Sequence, residues 1–74
     1  MHTRNVIGKR IKMLRLKEGI TQEQLAARLN VQGIDIDRPM ISKIENQSRE
    51  LLDYEIIGIA KALGVPIEFL FKNK

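Results

Sequence analysis

The chain has 74 residues, of which 43% are hydrophobic and 30% charged, a composition typical of one small globular domain spanning residues 1–74. It contains no cysteine and one histidine, His2, which excludes disulfides and thiol catalysis and leaves no basis for a histidine-based metal site or a histidine general base. No apolar run approaches the ~20 residues that cross a bilayer. We therefore expect a soluble, cytoplasmic protein with no membrane partner, no cofactor and no enzymatic activity.

The net charge of +4 is unevenly distributed along the chain. Residues 1–17 carry six basic residues and no acidic one, whereas residues 18–74 carry seven basic and nine acidic residues. Such a basic segment is typical of proteins with an anionic partner, either nucleic acid or an acidic membrane surface. A solvated helix face explains the same charges equally well.

The first element is predicted by apolar residues at helical spacing. Ile7, Ile11 and Leu14 favour a helix over residues 4–18, and Gly19 is a suitable left-handed stop.

The second helix has a complete start signal. Thr21 and Gln24 have the spacing of a capping box, and Ile20 and Leu25 have the spacing of a hydrophobic staple. These signals predict a helix over residues 22–30.

Residues 31–37 are predicted to form a long turn between the second and third helices. Ile34 and Ile36 alternate with aspartates, which allows a short extended piece. Because two isoleucines are too apolar for a solvated loop, we expect the turn to be ordered, with at least one of them packed on the core.

The third and fourth helices are predicted from their capping residues. Asp37 is a good cap, and Pro39 is tolerated only in a first turn, so a helix should run from there to about Asn46. Asp53 is the expected cap of a helix over residues 54–63.

A last short helix is predicted over residues 66–71. Gly64 and Pro66 separate it from the fourth helix. Its residues Ile67, Leu70 and Phe71 would share one face and complete the core. The predicted fold class is therefore all-α, a compact five-helix domain with a lengthened turn between helices 2 and 3.

Three segments of the chain resemble a known family: IGKRIKMLRLKEGITQEQLAARL at 7–29, ISKIEN at 41–46, and IAKALGVPIEFLF at 59–71. In this order they are similar to the lambda-repressor-like (XRE-type, Cro-like) helix-turn-helix domain. The resemblance implies a sequence-specific regulator of transcription, a repressor, that binds double-stranded DNA. Its third helix, about 38–46, would enter the major groove.

Six residues are predicted to contact DNA: Gln22, Arg38, Met40, Ser42, Lys43 and Arg49. Gln22 lies at a helix start, where backbone N–H groups suit a phosphate. Arg38 has the fork that pairs with guanine, and Met40 is apolar enough for a thymine methyl. The alternatives are ordinary surface side chains, with Arg38 paired to Asp35 and Met40 at the core edge. The resemblance also implies a structural ion pair between Arg15 and Glu45.

The sequence differs from the family pattern in the third-helix region. The segment between Leu29 and Ile41 is longer, and Pro39 stands where a base-contacting side chain is common. Asp35 and Asp37 add negative charge, and Gln47 occupies a position where glycine is usual.

Two other function classes remain open alongside the regulator. A DNA-binding antitoxin has the same fold but also binds a toxin, and a protein-interaction module uses the same helices without DNA. We further expect a homodimer on DNA, held by the C-terminal end with an outward-facing Phe69, because related domains bind two half-sites. No small-molecule ligand is indicated.

Overall fold

The computed structural model describes residues 5–71 and contains four α-helices followed by a 3-10 helix. These are α1 (Gly8–Lys17), α2 (Gln22–Val31), α3 (Arg38–Glu45), α4 (Asp53–Leu63) and the 3-10 helix Ile67–Phe71. The described part of the chain contains no strand, including in the turn before α3 where an extended piece was allowed. The all-helical prediction is confirmed, but the predicted fifth α-helix is wrong because this segment forms a 3-10 helix.

The helix ends follow the sequence signals with two corrections. Gly19 and Gly64 both have positive φ, 73° and 70°, as expected of left-handed stops. However, α1 begins at Gly8 and not near residue 4, because the side chain of Asn5 accepts the Gly8 N–H at 2.6 Å. Asp53 is the first residue of α4 and not its cap.

One apolar core connects all the elements. It contains sixteen buried hydrophobic residues, most of them isoleucine or leucine, contributed by every helix and by the turn before α3. The helices approach closely at Gly8, where an added Cβ would collide with the Ile44 carbonyl oxygen. This contact sets the distance between α1 and α3.

The C-terminal segment buries less apolar surface than predicted. Leu70 is 1% exposed, but Ile67 and Phe71 are exposed and Phe69 is half-buried. With three residues per turn in a 3-10 helix, Phe71 is turned away from the face it would share with Ile67 in an α-helix. This winding explains the exposure of Phe71, while Ile67 is exposed at the start of the segment.

Candidate nucleic-acid interface

The connection between α2 and α3, residues 32–37, is an ordered spacer. Ile34 and Ile36 are both buried, which confirms the expectation that at least one packs on the core. The side-chain amide of Asn30 donates to the carbonyls of Ile34 and Ile36 at 2.9 and 3.0 Å. Gln32 donates to the Gly58 carbonyl of α4 at 2.9 Å. These contacts fix the spacer and thereby the position at which α3 starts.

Asp37 and Pro39 set the start of α3. The Asp37 carboxylate accepts the Met40 N–H at 2.9 Å, and Pro39 lies in the first turn, where its missing N–H costs nothing. The negative charge of Asp37 thus has a structural use at the positive end of the helix.

The two faces of α3 have different characters. Ile41, Ile44 and Glu45 are buried. Arg38 and Lys43 are exposed, and Ser42 is half-buried. Met40 is also half-buried and packs against the core. The outward face therefore carries hydrogen-bond donors and positive charge.

The start of α2 lies beside this face. Thr21 and Gln24 form the predicted capping box, with hydrogen bonds of 3.0 and 2.8 Å. The backbone N–H groups of Gln22 and Glu23 lie between these two residues in the first turn, where the helix dipole favours an anion.

A hydrogen-bonded chain joins α1, α2 and α3 below the outward face. Arg15 donates to both carboxylate oxygens of Glu45, at 2.6 and 3.0 Å, and both side chains are almost fully buried. Gln22 Nε2 donates to Glu45 at 3.0 Å, and Gln22 Oε1 lies 3.5 Å from Arg38 Nη1. The start of α2 is thereby tied to the end of α3, and the Arg38 side chain lies near Gln22 and not in a pair with Asp35.

Arg49 is held by α4. Its guanidinium donates to both oxygens of Glu55 at 2.9 Å, and Glu55 is 3% exposed. Burial raises the pKa of Glu55, but the hydrogen bonds from Arg49 and from the Leu52 N–H, together with the charge of Arg49, bring it below its ordinary value. The carboxylate is therefore ionised at neutral pH and occupies the Arg49 fork.

Asn5 was not identified from the sequence as shaping the interface, and Gln47 was noted only as occupying a position where glycine is usual. Asn5 donates to the carbonyls of Ile44 and Arg49, at 3.2 and 2.8 Å, and Gln47 donates to the Asn5 carbonyl at 3.1 Å. Gln47 has a φ of 67°, which is costly for a residue with a Cβ. Asn5 precedes the first apolar repeat, and this was the one local signal of a capping role.

Between residues 5 and 71, no group of three or more histidine, cysteine or acidic side chains could hold a metal ion. Over the same residues, no helix is long and apolar enough to cross a membrane.

Two helices joined by a fixed turn, the second with an outward polar face, define a helix-turn-helix domain. Comparison with family models agrees, because a helix-turn-helix model matches residues 11–70. The chain therefore belongs to the helix-turn-helix family, as the lambda-repressor-like resemblance implied. No curated protein sequence matches it.

Solved structures with the same fold include DNA-associated regulators. The restriction-modification controller protein C.AhdI from Aeromonas hydrophila is 31% identical, with a TM-score of 0.77 and coverage of 88% of this chain and 87% of that chain. The controller protein C.Esp1396I, a tetramer in complex with its natural 35 base-pair operator, is 35% identical, with a TM-score of 0.70 and coverage of 89% and 91%. The P22 c2 repressor in complex with synthetic operator 9T is 26% identical, with a TM-score of 0.75 and coverage of 95% and 98%.

Proposed function

We propose that the protein is a sequence-specific regulator of transcription, a repressor, that binds double-stranded DNA with α3 in the major groove. The outward face of α3, beside the anion-binding start of α2, is the observation that carries the proposal. Similar proteins that were solved with operator DNA support it. The proposal gives the protein no catalytic reaction and assigns it to the cytoplasm.

The proposed contacts are of two kinds: phosphate contacts that position the protein on DNA, and base contacts that recognise the sequence. The first turn of α2, at Gln22, would bind a phosphate, and Lys43 would neutralise another. Arg38 would read a guanine through its fork, Ser42 would donate to a base or phosphate, and Met40 would border a thymine methyl. Pro39 reads nothing, so fewer side chains of α3 are available for direct readout than in a helix without proline there.

A homodimer is the proposed DNA-bound form. Exposed apolar side chains on α4 and the 3-10 helix, each 40–54% exposed, are Tyr54, Ile57, Ile67 and Phe71. Removing such surface from water favours association. A two-fold dimer would present two copies of α3 to half-sites about one helical turn apart, ~10–10.5 bp.

Selection from a random duplex library at moderate salt tests the function. We expect enrichment of one motif with two-fold symmetry. Arg38→Ala should relax preference at one base position per half-site and weaken specific binding by about 1–3 kcal/mol. Lys12→Ala is a matched control, because Lys12 is an exposed cation on α1, outside both α3 and the proposed dimer surface. Failure to enrich any motif with the wild-type protein would contradict the proposal.

A further inference from the structure

We infer that Arg49 is a positioning residue of the DNA interface, which acts through Glu55 and does not itself neutralise a phosphate. The inference rests on the proposed DNA-binding function. It gives Arg49 a role different from the direct DNA contact that was predicted from the sequence.

The side chain of Arg49 is already hydrogen-bonded to Glu55 and to the Glu50 carbonyl. Nη1 donates to Glu55 Oε1 and to the Glu50 carbonyl, at 2.9 and 3.0 Å, and Nη2 donates to Glu55 Oε2 at 2.9 Å. The bidentate arrangement is the strongest geometry for an arginine–carboxylate pair. Three of the five guanidinium N–H groups are thereby used, and the positive charge of Arg49 is already balanced by the carboxylate of Glu55.

The second observation is the cost of leaving Glu55. Its side chain is 4% exposed, and its only other hydrogen bond shown by the structure is from the Leu52 N–H at 3.0 Å. A buried carboxylate without its cation is strongly unfavourable. A phosphate contact that displaced Glu55 would have to offset this cost and the loss of two charge-assisted hydrogen bonds.

The third observation is that residue 49 connects three parts of the interface. Its carbonyl accepts from Asn5, whose amide also donates to the Ile44 carbonyl at the end of α3. Its side chain is anchored to α4 through Glu55. A surface depression of about 460 Å³ lies between α3 and the segment that follows it, lined by Met40, Lys43, Ser48, Arg49, Glu50 and Leu52.

Through these contacts, Arg49 helps to hold the segment after α3 in place beside Lys43. With the pair intact, the segment after α3 has a fixed position relative to α4, and Lys43 faces the DNA across the depression. Without the pair, the side chain of Arg49 no longer ties this segment to α4, while the Leu52–Glu55 hydrogen bond and the core under α3 remain. We therefore expect losses in specific binding that do not depend on the charge of residue 49.

The test compares the salt dependence of binding for Arg49→Gln, Arg49→Lys, Glu55→Gln and Lys43→Gln, on a selected duplex and on an unrelated duplex. Measurements are made well below the melting temperature of each variant, so that global unfolding does not contribute. Arg49→Gln should bind the selected duplex roughly tenfold more weakly, with the same log–log salt slope as the wild type. Lys43→Gln is the comparison variant, and the magnitude of its slope should fall by about 1.

Glu55→Gln gives the sharpest contrast, because it makes the protein more positive. A purely electrostatic account predicts tighter binding, whereas the positioning role predicts weaker binding to the selected duplex and little change on the unrelated one. Arg49→Lys keeps the charge but loses the fork, so it should not restore affinity.

The inference is overturned if the Arg49→Gln slope falls by about 1 in magnitude, if Arg49→Lys restores affinity, or if Glu55→Gln binds the selected duplex at least as tightly as the wild type. If Arg49→Gln does not fold, the Arg49→Lys and Glu55→Gln results decide. Absence of salt-dependent binding by the wild-type protein would instead reject the proposed function.

Discussion

At the residue scale, the pair of Arg15 and Glu45 has the largest expected effect on stability. Both side chains are buried, and the carboxylate also holds Gln22 at the start of α2. Removing one partner leaves a buried charge without compensation, so Arg15→Met should lower the free energy of unfolding by about 3–5 kcal/mol. Urea denaturation measures this loss.

The double variant Arg15→Met, Glu45→Leu provides the control, because it removes both charges. It should recover much of the stability lost in the single variant, since apolar residues of similar size often replace a buried pair without penalty. Lys12→Gln, on an exposed position of α1, should change stability by less than about 0.5 kcal/mol. A cost below about 1 kcal/mol for Arg15→Met would mean that the pair behaves as a surface pair.

Gln47 has a backbone conformation in the left-handed region, which strains a residue with a Cβ. Gln47→Ala removes the hydrogen bond to Asn5 but keeps the Cβ strain, so it should destabilise by about 1 kcal/mol. Gln47→Gly removes both, and relief of the strain, about 1–2 kcal/mol, should make it more stable than the alanine variant.

The matched control for Gln47 is Ala27→Gly on the exposed face of α2, where glycine should cost about 1 kcal/mol. Glycine in place of alanine should therefore raise the free energy of unfolding at position 47 and lower it at position 27. Thermal denaturation of the wild type and the three variants compares them directly, and equal signs would contradict the strained conformation of Gln47.

At the element scale, the spacer before α3 depends on Gly58 of α4. A Cβ at this position would overlap the Ile34 side chain, so Gly58→Ala should destabilise although alanine is the better helix former. In an Ile34→Ala background the overlap disappears, and Gly58→Ala should then stabilise by up to about 1 kcal/mol.

A double-mutant cycle on Gly58 and Ile34 measures this coupling by denaturation. If Gly58→Ala has the same effect in both backgrounds, the spacer is not docked on α4. Native-state proteolysis provides a second readout, because an undocked spacer should be cleaved between residues 33 and 37.

At the scale of the whole molecule, the exposed apolar residues of α4 and the 3-10 helix are expected to form the dimer surface. Phe71→Glu and Ile57→Glu should each weaken self-association, because a charge replaces apolar area that the dimer would bury. Val31→Glu is the control, since Val31 is 89% exposed and belongs to α2, outside the residues of the proposed dimer surface.

Sedimentation of each variant, free and bound to a two-site duplex, decides the dimer prediction. Wild type and Val31→Glu should bind as two protomers per duplex, and the other two variants should bind with lower cooperativity. A single protomer on the full wild-type site, or unchanged association of Phe71→Glu, would contradict this dimer surface.

Much of the fold followed from local signals in the sequence. These signals act within one or two helical turns, so they can be recognised in a short stretch of sequence. They include the capping box at Thr21, the glycine stop at Gly64 and the apolar spacing of the helices. The Arg15 and Glu45 pair was expected from family resemblance alone.

The remaining features depend on contacts between distant segments. Asn5 shortens α1 through a hydrogen bond, but its other partners are near residues 44–49, which no local pattern shows. Arg49 looked like a free cation because its partner Glu55 is a charged residue that the sequence alone does not mark as buried. The exposure of Phe71 depends on the tighter 3-10 winding.

The most direct test of the central claim is a titration of the selected duplex and a scrambled duplex at several salt concentrations. We expect specific binding with a log–log salt slope between about −3 and −5 per protomer. We also expect a clear preference for the selected sequence at every salt concentration. A flat salt response, or equal affinity for both duplexes, would contradict sequence-specific binding through α3.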